Sequence, residues 1–184
     1  MNELAHLLRA ARNLDKDALT TIFDMYSPAL YKFVSRLIHD PILSDQIVAD
    51  VFVRLLEELG GGEGPRMNLR SYLYQLAYRL VLQRFHESHP HSSLEVAVRA
   101  LQKDKATPAP PHNDDRLLME SLLSTMNTEL SEDQRIVIIL RFLEDFSLKE
   151  TAEIIGKDVN NVKVIQTRGL AKLKKAMGMQ VDAE

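Results

Sequence analysis

Apolar side chains recur at three- and four-residue spacing along almost the entire chain, and no stretch alternates apolar with polar as a half-buried strand does. A chain patterned this way buries its apolar surface as packed amphipathic helices, so the expected fold is all-α. Leu4, Leu7 and Leu8 mark a first helix over about residues 2 to 13. A second is expected from about Asp17 to Tyr26 on Leu19, Ile22 and Phe23. Ser27-Pro28 reads as a cap followed by a first-turn proline, opening a third helix along Leu30, Phe33, Val34, Leu37 and Ile38. Asp40-Pro41 stops it. A fourth helix starts near Ser44, buries Ile47, Val48, Val51, Phe52, Leu55 and Leu59, and ends in the glycine run from Gly60 to Pro65. Asn68 caps a fifth, with Leu69, Leu73, Leu76 and Leu80 on one face.

Between His86 and Asp115 the pattern breaks. Pro90, Pro108, Pro110 and Pro111 fall here, with only a weak apolar interruption at Leu94 to Leu101, which marks a flexible linker. The chain is therefore expected to form two small helical domains, residues 1–88 and 116–184, joined by a linker over 89–115. Both lengths suit small domains.

The second domain opens with a helix carrying Leu117, Leu118, Leu122 and Met126. Ser131 with Gln134, and Ser147 with Glu150, each have capping-box spacing. The first box precedes a helix buried through Ile136, Ile139, Leu140 and Leu143; the second precedes a short one, Leu148 to Ile155. Gly156 ends that short helix, Asp158 can cap the next, and Val162, Ile165 and Leu170 supply its inner face. Ala152 allows close approach where the helices cross, and Gly156 offers a sharp turn. Two short helices joined by a glycine turn describe a helix-turn-helix. Lys157 stands where an apolar residue would seal that turn better. On pattern alone, a plain helical hairpin would use the same residues.

Charge sharpens the choice. The net charge is only -3, so a nucleic-acid surface has to be a local patch. Residues 157 to 175 hold Lys157, Lys163, Arg168, Lys172, Lys174 and Lys175 against the single acid Asp158. Residues 129 to 153 hold seven acids against three cations. The cations are thus concentrated on the helix that would read DNA, where phosphate contacts are needed. In the first domain, Arg66, Arg70, Arg79 and Arg84 interleave with Tyr72, Tyr74, Tyr78 and Phe85, a composition that fits phosphate contacts and stacking on unpaired bases, and equally a helix core.

Other chemistries find no footing. There is no cysteine, hence no disulfide, thiol nucleophile or cysteine-based zinc site. His86, His89 and His91 lie in irregular sequence without the spacing of a metal site, so no metal and no cofactor are expected. The Gly60 to Gly64 run lacks the lysine and strand of a phosphate-cradling loop. No nucleophile and base pattern marks an enzyme. The N-terminus lacks an export signal and no stretch approaches a membrane span, so the expected compartment is the cytoplasm.

Two blocks of the chain resemble one family. Gln46-Ile47-Val48-Ala49-Asp50-Val51-Phe52-Val53-Arg54-Leu55 and Leu73-Tyr74-Gln75-Leu76-Ala77-Tyr78-Arg79 resemble region two of bacterial RNA polymerase sigma factors of the extracytoplasmic-function type. Leu130-Ser131, Gln134-Arg135, the segments Leu140 to Glu144 and Ser147 to Gly156, then Val162-Lys163 and Arg168, resemble region four. The likeness covers about residues 17 to 86 and 117 to 175. It implies a protein that binds core RNA polymerase and promoter DNA, and it admits an anti-sigma factor as a further partner. Lys163, Val164, Thr167 and Arg168 match the family's minus-35 reading positions. Arg70, Tyr74, Tyr78 and Arg79 are the residues expected on the minus-10 side. Asp45, Gln46, Asp50, Phe52 and Arg54 fall in the segment that docks on polymerase. Departures accompany the likeness. Gln46 and Ala49 replace an acid and a glutamine, Arg79 and Gln83 replace asparagine and aspartate, and Asn161, Val164 and Gly169 replace threonine, serine and alanine. A helix-turn-helix regulator without initiation activity and a helical interaction module that binds no DNA are the alternatives.

Overall fold

In the computed structural model, residues 2–62, 64–65, 68–88 and 114–178 are described. Among them every regular element is helical. The chain divides into two compact units, Met1–Pro90 and His91–Glu184. The linker expected over 89–115, with its interruption at Leu94 to Leu101, lies outside the described residues except for Asp114 and Asp115. So do His89 and His91, and of the His86 side chain nothing is described.

The first unit contains α1 (Asn2–Arg12), α2 (Lys16–Ile38), α3 (Pro41–Gly60) and α4 (Leu69–Ser88). Asp15 caps α2, its Oδ1 accepting from Ala18 N at 2.8 Å. The second and third helices expected from sequence are one: α2 runs through Pro28 without a break. Buried residues on both sides of the proline, Ile22 before it and Leu30, Phe33 and Val34 after it, hold the helix to one core, and tertiary packing overrides the local breaker. Asp40-Pro41 also does more than stop a helix. Asp40 is the N-cap of α3, accepting from Leu43 N at 3.1 Å, and Pro41 takes the first helical position, three residues before the expected start. Asn68 accepts from Arg70 N at 2.9 Å, as expected of a cap. The core of the unit is built from Ile22, Leu30, Phe33, Ile47, Val51, Leu55, Leu69, Leu73 and Tyr74. Each such side chain stabilises by about 1.5–3 kcal/mol.

The second unit contains α5 (Asp114–Glu129), α6 (Glu132–Ile138) extended by one wide π turn at Ile139–Leu143, α7 (Leu148–Ile155) and α8 (Val159–Ala176). Both capping boxes are formed, at Ser131 with Gln134 and at Ser147 with Glu150. The π turn widens the end of α6, so that Glu144 N reaches Ile139 O at 3.0 Å and Phe146 N reaches Leu140 O at 2.9 Å. Leu117 and Leu118, near the start of the helix expected there, are exposed, and α5 is anchored at its other end by Met126.

Candidate nucleic-acid interface

Gly156 ends α7 in the left-handed conformation, at φ 67°, ψ 35°, and the next amide, of Lys157, returns to Ala152 O at 3.0 Å. Asp158 then caps α8, accepting from Asn160 N at 2.8 Å. Ala152 is buried at the crossing, with Ile155 and Val162 sealing the pair. Lys157 does not leave the turn unsealed. Its Nζ reaches back 3.1 Å to Asp133 Oδ2 on α6, so this cation is paired across the turn, with both side chains partly exposed.

The remaining cations of the segment, Lys163, Arg168, Lys172, Lys174 and Lys175, are exposed. Lys163, Val164, Thr167 and Arg168 share one exposed face of α8, at helical spacing i, i+1, i+4 and i+5. The Thr167 hydroxyl donates to Lys163 O at 3.0 Å, leaving its methyl for outward contact. Val164 leaves an apolar side chain, 46% exposed, on the same face. The opposite side of α8 packs on α6 more closely than expected. A Cβ at Gly169 would lie 2.8 Å from Ile138 Cδ1 and 3.3 Å from Gln134 Cβ. The buried seam follows Val162, Gly169 and Leu173, whereas Ile165 and Leu170 are only half-buried. Gln166 lies in that seam, its Oε1 accepting from Arg141 Nε at 2.9 Å.

On α6, Arg135 is 4% exposed. Its Nη1 donates to Asn127 Oδ1 at 3.2 Å and its Nε has no partner. Burial lowers its pKa, and the charge of Glu132 opposes the shift. It braces α5 against α6 from inside.

In the first unit the expected minus-10 residues separate. Tyr74 is 0% exposed and packs on Phe33 with ring centroids 4.9 Å apart; Tyr78 is buried as well. Neither has a face left for an unpaired base. The reason is that α4 packs against both α2 and α3, so nearly all of its surface is interior. Arg70 is half-buried, its guanidinium 5.6 Å from the Tyr74 ring centroid, where it also lowers the pKa of Tyr26 against a larger rise from burial. Arg79 is exposed, with Gln83 one turn on.

Asp45, Gln46 and Arg54 are exposed on α3. Asp50 bonds Arg84 of α4 at 2.9 Å across a cleft of about 360 Å³ lined also by Val53, Arg54, Glu57, Leu80 and Gln83. Phe52 is buried against Phe23 of α2, ring centroids 4.7 Å apart, and lines a separate groove with Leu19, Leu55 and Leu56. The sequence reading missed Ile42, Val53 and Leu56. They are exposed at 72%, 50% and 40% and fall on one line of α3 with Gln46 and Ala49. The signal was available: these apolar residues sit off the inner face at their own helical spacing.

The family model for region 4 of sigma-70 matches residues 121–173, which include α6, α7 and most of α8. The chain is 26% identical over 172 residues to the extracytoplasmic-function RNA polymerase sigma factor SigX of Bacillus subtilis, covering 88% of this chain and 84% of that one. It is 23% identical over 175 residues to the sigma factor BldN of Streptomyces coelicolor, covering 95% of this chain and 66% of the relative. In fold it is similar to the sigma factor RpoE of Bartonella quintana, solved with the anti-sigma factor NepR. The TM-score there is 0.68 at 18% identity, over 88% of this chain and 98% of that one. It is also similar to CnrH, solved with the cytosolic domain of CnrY, with a TM-score of 0.67 at 20% identity over 95% and 97% of the two chains.

Proposed function

Since the chain is a member of the extracytoplasmic-function RNA polymerase sigma factors, we propose that it binds core RNA polymerase and directs promoter-specific initiation, the first unit serving the minus-10 element and the second the minus-35 element. The observation that carries this reading is the exposed face of Lys163, Val164, Thr167 and Arg168 on a helix entered through the Gly156 turn, within the segment that matches region 4. In this role α8 enters the major groove and its lysines hold the flanking phosphates. Val53, Ile42 and Leu56 join Asp45, Gln46 and Arg54 as the surface offered to polymerase, supported by their exposure along one line of α3. Arg79 is the exposed α4 cation for the separated strand, with Arg70 at its edge, and Tyr74 and Tyr78 shape the helix behind them. An anti-sigma factor would compete for these faces, as a regulator of a cytoplasmic protein that does no covalent chemistry of its own.

Run-off transcription with purified core polymerase on a library of promoter fragments tests the reading. The expected result is discrete transcripts that require the chain. A chain that neither associates with core polymerase nor yields transcripts sinks it. Duplex binding without transcripts would indicate a regulator instead.

A further inference from the structure

Gln166 is out of place in the seam it occupies. Val162, Gly169 and Leu173 are buried against α6, and the position between them at the same spacing carries an amide. A half-buried amide is costly without a partner. Here Gln166 Oε1 accepts from Arg141 Nε at 2.9 Å, while Nη1 of the same guanidinium donates to the carbonyl of Phe146. Arg141 stands in the π turn that closes α6, and Phe146 immediately precedes Ser147, the N-cap of α7. One guanidinium therefore ties the entrance of the helix-turn-helix to the middle of α8. Because the guanidinium is planar, it fixes direction as well as distance.

Resting on the reading of α8 as the recognition helix, we propose that Arg141 and Gln166 are positioning residues for minus-35 recognition, setting the rotation of α8 about its own axis. Val162, Gly169 and Leu173 hold α8 against α6 by packing, which resists separation better than it resists rolling. The Arg141 bond to Gln166 resists rolling. Side-chain ends lie roughly 5–6 Å from a helix axis, so a roll of about 10–20° displaces them by about 1–2 Å, enough to break hydrogen bonds to base edges. Flexible lysine contacts to phosphate absorb the same displacement. The bond thus governs which sequence is preferred more than how tightly DNA is held.

The test uses the full-length chain with core polymerase, a duplex enriched from a random-sequence pool by the wild-type protein, and a scrambled duplex of the same composition. Arg141→Met removes the fork, and Gln166→Leu removes the acceptor while keeping the volume. Each is expected to lower the selected-to-scrambled affinity ratio about tenfold, the cost of roughly one mismatched base pair, with scrambled-duplex affinity and salt dependence unchanged. The double variant should lose no more than the worse single, because both remove one bond. A Gln166→Leu chain of wild-type thermal stability that keeps the full ratio overturns the proposal. So does a fall of about one unit in the salt slope for Arg141→Met with equal loss on both duplexes, which makes Arg141 a phosphate ligand. Should Arg141→Met fail to fold, Gln166→Leu alone decides. If the wild type enriches no sequence at all, the recognition-helix reading itself fails.

Discussion

Gly169 owes its identity to a close approach. On α8 it would cost roughly 1 kcal/mol of helix propensity relative to alanine, yet an added Cβ would lie 2.8 Å from Ile138 Cδ1. Because Ile138 is itself buried and Gln134 Cβ stands 3.3 Å away as well, Gly169→Ala is expected to destabilise the second unit by about 1 kcal/mol, and by less once Ile138→Val removes that methyl. Denaturant unfolding of the four proteins of this cycle checks both effects. Lys163 and Arg168 belong to the opposite face. Alanine at either should weaken binding to selected and scrambled duplexes, and a salt titration should show the slope of affinity falling by about one unit for each phosphate no longer neutralised. At this scale the sequence was readable where one local rule decided the outcome, as in the Ser131 and Ser147 capping boxes and the turn at Gly156. It misled where a side chain's direction depended on partners distant in sequence. Tyr74 and Tyr78 suited a stacking surface in composition and became core because α2 and α3 cover α4. Lys157 looked like a poor seal until Asp133 lay 3.1 Å from it.

Among the elements, α2 shows how far packing overrides punctuation. Pro28 is exposed midway along a 23-residue helix and cannot donate a bond back to Asp24. Pro28→Ala should raise the stability of the first unit by about 1–3 kcal/mol, read as a higher unfolding midpoint; a lower one would mean that the proline serves a bend the fold needs. The turn between α7 and α8 has the opposite character, since nothing lies within 4 Å of a Cβ built on Gly156 and only its φ of 67° resists a side chain. Gly156→Ala should cost about 1–2 kcal/mol, and Gly156→Asn less, because asparagine tolerates the left-handed region. The π turn at Ile139–Leu143 had no legible signal. It accompanies the burial of Phe146 and the bond from Arg141 to the Phe146 carbonyl, contacts that no run of three or four residues encodes.

For the molecule as a whole, the two units divide the labour expected of a promoter reader, with the apolar line of α3 on one and the basic face of α8 on the other. Val53→Asp should reduce affinity for core polymerase by at least tenfold, as truncation of a central apolar anchor does. Helical content and the affinity of α8 for duplex should stay at wild-type values. Pull-down with core polymerase, circular dichroism and mobility shift on the same preparation measure the three. That apolar line also bears on the fate of the free chain. Ile42, Val53 and Leu56 are held in water on the outward side of a folded helix, and an apolar row of this kind favours self-association as concentration rises. Chain made in excess of its partners is then exposed to aggregation and to quality-control proteolysis. The supply of binding partners thereby sets a ceiling on how much of the protein a cell can usefully keep.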